Sequence, residues 1–435
     1  MTPSARLAAA IDLLTAIEDT PRRPADAVAN AFFRERRYIG GGDRRAISAR
    51  VWAVLRHWRR LAWWIERGGA APTPRARLIA LLSLAQPSEI QPPGETVQDL
   101  FSGDRYAPPP LTAGERALAA ALRGQAMAHP DMPRAVALEV PDWLLPRLEA
   151  AFGPDVEVEI AALAGEATLD LRVNLLKTTR AEAARLLAAD GIEARQTDLS
   201  PWGLRVPGRQ PVTATAAFKA GLVEIQDEGS QIVVAAADAR PGMRVLDYCA
   251  GAAGKTLGMA MTMQNRGHIV ACDVSEARLE GAVRRLRRAG VHNAERHLLI
   301  PGDRWARRRA GSFDRVLVDA PCTGTGTWRR NPDARLRLTE QDVAELTRKQ
   351  AEILAVAASL VRPGGRLVYA TCSILPEENQ DRIDAFLRAT PHFRRADSTP
   401  DCGLPPGLAR DGMIALSPLR HGTDGFFAAI LERTA

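Results

Sequence analysis

Val245-Leu246-Asp247-Tyr248-Cys249-Ala250-Gly251-Ala252-Ala253-Gly254-Lys255-Thr256 is the stretch on which the fold turns. It opens as a short apolar run of strand type and passes through a loop of small residues into a helix. That order brings backbone close to a ligand at a helix N-terminus, as in the nucleotide sites of open α/β sheets. A Walker A loop needs Gly six positions before its Lys, where Cys249 stands, and a dinucleotide fingerprint needs three glycines where only Gly251 and Gly254 occur. The remaining candidate is a loop for S-adenosylmethionine. Asp247, ending the first strand, would then face the ligand's amino group. Asp273, 22 residues after Gly251, would take the ribose hydroxyls from the end of the second strand. An acid that merely caps the next helix reads the same way at Asp273. Asp303, after Pro301-Gly302, is placed beyond the third strand, within reach of an adenine amino group.

Outward from this loop, short apolar runs alternate with helical patterns. Strands are expected at Arg244–Cys249, His268–Asp273, Arg315–Val318 and Arg366–Thr371, with helices from about Thr256, over 275–289 and over 340–361. Right-handed crossovers then give a doubly wound, largely parallel sheet. Met413–Ser417 and Phe426–Leu431 complete it as a seven-stranded sheet over 236–435. Upstream, residues 141–235 read as a small α+β module, with a strand at Thr168–Leu175, a helix at Arg180–Ala189 and a strand at Ile192–Gln196. Residues 1–140 read as all-α, with helical spacing over Arg6–Ile17, Arg44–Ile65 and Arg75–Ala85. Pro and Gly gather at 92–94, 108–110 and 130–141 as loops.

The 435 residues are 46% apolar and 25% charged, enough for two or three packed domains. Of the net charge of +7, about +6 falls in residues 1–70, which hold 13 Arg against 7 acids. A basic end points to a polyanionic partner. Arg34, Arg36, Arg37, Arg44, Arg45, Arg56, Arg59 and Arg60 form its densest cluster; a solvated helix face with some ion pairs accounts for them equally well. Trp58, Trp63 and Trp64 read as core. The five cysteines lie at least 23 residues apart without a C-x-x-C pair, which disfavours a zinc module or a disulfide framework. No apolar run approaches the ~20 residues of a membrane span, and no leader pattern opens the chain. A cytoplasmic protein with reduced thiols and no metal is expected.

Two of those cysteines carry the chemistry. The fourth strand ends in Asp319-Ala320-Pro321-Cys322, where enzymes that methylate exocyclic amines carry D/N-P-P-Y/F, and the fifth ends in Thr371-Cys372-Ser373. In a doubly wound sheet the first, fourth and fifth strands are neighbours about 4.8 Å apart, so both thiols should converge beside the cofactor loop. Two thiols next to a methyl donor suit methylation at C5 of a pyrimidine. That carbon is a poor nucleophile until a thiolate adds at C6. Asp319, if it carries or shares a proton, can donate at N3 as charge develops there, with Lys255 as a charge stabiliser. Cys249, Cys272 and Cys402 read as packing.

At these residues the chain resembles the RNA cytosine-5 methyltransferases of the bacterial RsmB (Fmu/Sun) type, which modify small-subunit ribosomal RNA. The likeness runs through Leu171–Lys177, Glu224–Gln231, the loop at 247–256, Asp273–Arg278, residues 314–333, Gln350, Pro363-Gly364-Gly365, Thr371–Ile374 with Glu377-Glu378-Asn379, and Asp424–Phe427. The resemblance implies that Cys372 is the nucleophile and that Cys322 assists product release. It also implies that Cys249, Ala250, Gly251, Ala252, Ala253, Gly254 and Lys255, with Asp273, Arg278, Asp303 and Asp319, contact S-adenosylmethionine and the base. The first third is similar to the NusB-like helical RNA-binding domain of this type, with Asp43-Arg44-Arg45 and Leu55-Arg56 in the matching places. The implied function is formation of 5-methylcytosine in 16S ribosomal RNA; separately, a monomer is expected. The same reaction on tRNA or at another rRNA position, and a SAM-binding RNA-assembly factor without turnover, are the alternatives. One departure from the family pattern is Ala253, where Gly is usual. If that position needs φ > 0, Ala costs about 1 kcal/mol there.

Overall fold

The computed structural model describes residues 1–84, 96–208, 210–300, 302–396 and 403–434. The expected loop at 92–94, the end of the helical run at Ala85, Pro301 and the packing role of Cys402 lie outside the described residues. The chain divides into two compact units, Met1–Glu149 with Arg330–Leu338, and Ala150–Arg329 with Thr339–Ala435.

The first unit is helical throughout, its longer helices being Pro3–Glu18, Ala25–Glu35, Gly41–Arg56, Trp58–Arg67, Pro74–Ser83 and Ala113–Leu122. Thr2, Thr73 and Thr112 cap three of them by accepting a hydrogen bond from the backbone N–H three residues on. Leu7, Leu14, Ile47, Val51, Leu61 and Ile79 meet in one core, joined by Trp64, with Trp58 and Trp63 partly buried against it.

The expected single helical run over Arg44–Ile65 is broken at His57, which leaves helical geometry at φ −116° and ψ 27°. The cause lies about 80 residues away. The fully buried Glu139 carboxylate accepts from the backbone N–H groups of Arg59 and Arg60, both at 2.9 Å, and caps the second helix. Periodicity cannot register such a cap. Residues 330–338 return to this unit from the middle of the later sequence. Asp333 accepts from Ala25 N at 3.0 Å at the start of helix Ala25–Glu35, and the buried Arg335 guanidinium donates to the Arg56 carbonyl.

The second unit holds two sheets. The smaller is antiparallel: β1 (Leu169–Val173), β2 (Arg195–Gln196), β3 (Gly203–Val206) and β4 (Val223–Ile225) lie in the order β2-β3-β1-β4, with helix Arg180–Ala189 packed against it. The larger contains β5 (Arg244–Asp247), β6 (His268–Asp273), β7 (Ala294–Leu298), β8 (Phe313–Asp319), β9 (Val361–Thr371), β10 (Phe393–Arg395), β11 (Met413–Leu416) and β12 (Phe426–Arg433). Its order is β10-β12-β9-β8-β5-β6-β7, with β11 paired to β12; β5 to β9 run parallel and β12 runs antiparallel to β9.

Alternate residues of each strand feed opposite faces. Val368 and Ala370 of β9 join the core beneath helices Glu228–Ala236 and Gly254–Thr262, while Leu367 and Tyr369 join the core beneath Glu340–Leu360. The sheet is the expected Rossmann-like one, with eight strands rather than seven. The extra strand, β10, is a three-residue edge piece too short to show alternation. With β8 lying between β5 and β9, their carboxyl ends stand side by side.

Candidate active site

The loop after β5 is tied at nearly every residue. Tyr248 N donates to Leu317 O and Ala250 N to Cys272 O, both at 2.8 Å, while Gly251, at φ 54°, donates its N–H to Asp273 at 2.8 Å. The other Asp273 oxygen accepts from Ser275 N at 2.8 Å. This carboxylate therefore ties the loop to Ser275, whose own side chain caps the next helix by accepting from Arg278 N. From outside the loop, Arg285 donates to Ala252 O and Arg172 to Gly254 O, each at 2.7 Å. Ala253 sits at φ 61° and ψ 29°, fully buried, as the residue that turns the chain into helix Gly254–Thr262. The left-handed conformation expected to favour Gly is present, and Ala bears it.

These elements bound a cavity of about 880 Å³. Cys249, Ala250, Gly251, Ala252, Gly254, Lys255, Asp273, Arg278 and Asp319 line it. Asp247, Ala253 and Asp303 do not. Asp247 is fully buried behind the loop, where its Oδ2 accepts from Thr256 Oγ1 at 2.7 Å and its Oδ1 has no hydrogen-bond partner among the described residues. Burial lifts its carboxyl to about 7, against the Thr256 bond and with help from the nearby Asp319 charge. Asp303 instead accepts from Trp305 N at 2.8 Å and pairs with His297 at 3.1 Å.

The sequence reading missed Val274, Leu299 and Ile300 in the wall, as well as Gln226, Ser230 and Lys349. Val274 and Ile300 are 68% and 60% exposed, unusual for aliphatic side chains facing a cavity, and they offer apolar surface to a flat ring. The signal was available at Val274, an apolar residue directly after a strand-ending acid. This chemistry fits S-adenosyl-L-methionine: small loop residues, a helix N-terminus, an acid after the second strand and apolar residues beside it. Among the described residues no group of three metal-ligating side chains is assembled.

At the ends of β8 and β9 the sulfurs of Cys322 and Cys372 are 3.4 Å apart. The hydrogen bond with Cys372 and burial push the Cys322 thiol well up, and either sulfur of the pair can be the donor. Lys255 Nζ lies 2.6 Å from Asp319 Oδ2. Burial alone would weaken the Lys255 charge, but Asp319, Asp247 and Cys372 outweigh it and hold the lysine above its usual range. Burial pushes Cys249 and Cys272 up as well, and neither thiol joins the pair.

The two cysteine loops are laced together. Glu378, fully buried, accepts from Thr323 N at 2.9 Å, Thr323 Oγ1 at 2.5 Å and Gln350 Nε2 at 2.8 Å. Gln350 also donates to Pro321 O at 2.9 Å, and Gly326 N donates to Cys372 O at 2.9 Å. Gly326 packs so closely on Gly425 that an added Cβ would lie 2.1 Å from the Gly425 carbonyl oxygen. Nearby, buried Arg329 bridges Asp227 and Asp424, which lie far apart in the sequence.

Residues 234–432 match the family model for 16S rRNA methyltransferase RsmB/F, and residues 140–213 match the ferredoxin-like domain model of the same proteins. The chain belongs to the RsmB/F methyltransferase family. It is 34% identical over 307 residues to the probable ribosomal RNA small subunit methyltransferase B of Bacillus subtilis, covering 67% of this chain and 66% of that protein. It is 36% identical over 297 residues to ribosomal RNA small subunit methyltransferase B of Klebsiella pneumoniae, with the same coverage. The chain thus spans about two thirds (66%) of the length of these relatives. The solved structure of PH0851 superposes with a TM-score of 0.78 at 28% identity, covering 100% of this chain and 99% of that one.

Proposed function

We propose that this RsmB/F protein methylates C5 of a cytosine in small-subunit ribosomal RNA through a covalent Cys372 adduct. The observation that carries the reading is the pair of thiols 3.4 Å apart at the ends of β8 and β9, beside the Lys255–Asp319 ion pair. S-adenosyl-L-methionine is the cofactor and supplies an electrophilic methyl group. Gly251, Gly254, Asp273 and Arg278 would hold it, between Val274 and Ile300. Cys372, as thiolate, adds to C6 of the base, and electron density moves toward N3 and C5. Lys255 is a cation within electrostatic reach of Cys372. As charge develops at N3, the Lys255 ammonium, 2.6 Å from Asp319, passes a proton to the Asp319 carboxylate, which then donates it to N3 and leaves Lys255 as the neutral amine. Once C5 carries the methyl group, its remaining proton must leave as the Cys372–C6 bond breaks. Cys322, hydrogen-bonded to Cys372, takes that proton as a thiolate while the C5–H electrons re-form the C5–C6 double bond and expel Cys372 as thiolate. A base paired in A-form RNA is out of a thiol's reach, so the target is unpaired or flipped out.

Cys372→Ala is expected to abolish methyl transfer while cofactor binding persists, and normal turnover by this variant would sink the mechanism. Cys322→Ala is expected to accumulate a covalent RNA–protein adduct, visible as a shifted band on a denaturing gel. Bisulfite mapping of RNA from a deletion strain, with and without complementation, identifies the base.

A further inference from the structure

The helical unit carries a second large cavity, about 810 Å³, lined on one side by Ala5, Ala8, Ala9 and Asp12 of helix Pro3–Glu18 and on the other by Arg36, Tyr38, Arg105 and Tyr106. Tyr38 and Tyr106 are 74% and 69% exposed, and among the described residues they are the large aromatic side chains left out in solvent. Both line this one cavity. A tyrosine can bury 150–250 Å², so two exposed rings facing one groove represent unused stacking surface.

The surroundings are cationic. The Arg105 guanidinium lies 4.9 Å from the Tyr106 ring centre, Arg36 stands two residues before Tyr38, and the intervening Arg37 is exposed. The basic cluster singled out in the sequence divides at this point. Arg44, Arg59 and Arg60 are spent on backbone carbonyls within the unit. Arg34, Arg37 and Arg45 remain exposed. Alanines give the groove a flat apolar floor, and Asp12 offers the one carboxylate of its lining, an acceptor for a base amino group and a poor neighbour for phosphate.

We infer that this groove binds an unpaired stretch of the RNA substrate, with bases stacked on Tyr38 and Tyr106 and phosphates paired with Arg36 and Arg105. The inference rests on the RNA-methyltransferase reading for the identity of the polyanion. Flat aromatic faces beside arginines are the usual platform for single-stranded nucleic acid, whereas an acidic peptide would leave the ring faces unfilled.

The test uses the full chain and a fluorescein-labelled, unstructured 12-nucleotide RNA, with a duplex of equal length as the control. Fluorescence anisotropy of Tyr38→Ala and Tyr106→Ala is expected to show affinity for the single strand reduced about fivefold or more, with duplex binding nearly unchanged. Tyr38→Phe and Tyr106→Phe, which keep the ring, are expected to bind as the parent does. Melting temperatures within a degree or two of the parent separate lost stacking from lost folding. Equal single-strand affinity for parent and alanine variants overturns the inference. So does tyrosine-dependent binding of poly-glutamate in preference to RNA. A parent that methylates ribosomal RNA while the alanine variants bind normally fails the groove alone. A parent that binds through the tyrosines yet transfers no methyl group fails the catalytic reading alone.

Discussion

Glu378 touches neither thiol, yet the geometry makes it the anchor of the Cys322 loop. In Glu378→Ala the three donors that meet its carboxylate do not fare alike. Thr323 Oγ1 keeps Ser373 Oγ at 3.2 Å and Thr325 Oγ1 at 3.3 Å, and Gln350 Nε2 keeps Pro321 O at 2.9 Å. Thr323 N alone loses its partner. One orphaned N–H costs about 1–3 kcal/mol, and two weakened charge-assisted bonds add to it. The expected destabilisation is roughly 2–4 kcal/mol for Ala. For Glu378→Gln, which still offers an oxygen to Thr323 N, it is nearer 1 kcal/mol. The glutamine variant is therefore the informative one, because it folds while slackening the loop. It should form the RNA adduct at close to the parent's rate and release it slowly, so adduct builds up on a denaturing gel during turnover. Thermal unfolding run alongside gives the stability change. A Glu378→Gln protein with the parent's turnover and no adduct, or one whose adduct formation slows while release does not, would refute the anchoring argument.

Two further outcomes follow from the cofactor loop. Asp247 is protonated up to about pH 7 in the folded protein but ionises near 4 when unfolded, so the unfolded state gives up its proton first and stability falls as pH rises between those values. Asp247→Asn removes that slope. Its gain in melting temperature over the parent should grow from pH 4.5 to pH 7 and level off above; a gain independent of pH would contradict the burial argument. Ala253→Gly relieves about 1–2 kcal/mol of left-handed strain. It gives back about 0.4–1 kcal/mol in unfolded-chain entropy and about 0.8 kcal/mol for a buried methyl. Denaturant unfolding should show little net change, and a loss above ~2 kcal/mol would mean that the methyl packs better than its surroundings indicate.

Much of this molecule was legible before any coordinates, and the exceptions share a cause. Helix Arg180–Ala189 and strand His268–Asp273 coincide with their expected limits, since local periodicity and caps fix both. The break at His57 depends on a carboxylate about 80 residues distant, and the pinning of Cys322 depends on Glu378, 55 residues after the Thr323 it holds. Spacing along the chain carries neither. The acids of the loop were legible as residues but not in orientation: Asp273 faces the cavity, Asp247 lies behind it and Asp303 turns to its own helix. The apolar pair Val274 and Ile300 carries no periodic mark, because each stands singly in a loop where neither helical nor strand spacing sets it apart. The convergence of the thiols did follow from sequence, because the order of a doubly wound sheet decides which strand ends are neighbours.

The return of residues 330–338 to the helical unit has a consequence for synthesis. On the ribosome residues 1–149 emerge first, but the segment that brings Asp333 to Ala25 and Arg335 to the Arg56 carbonyl follows only after about 180 more residues. At ~5–20 residues per second the N-terminal helices wait roughly 9–36 s with those groups unmatched. The nascent chain therefore holds an incomplete first body while the second is still being made, and a protein cut at the end of the N-terminal helices would stay in that state permanently.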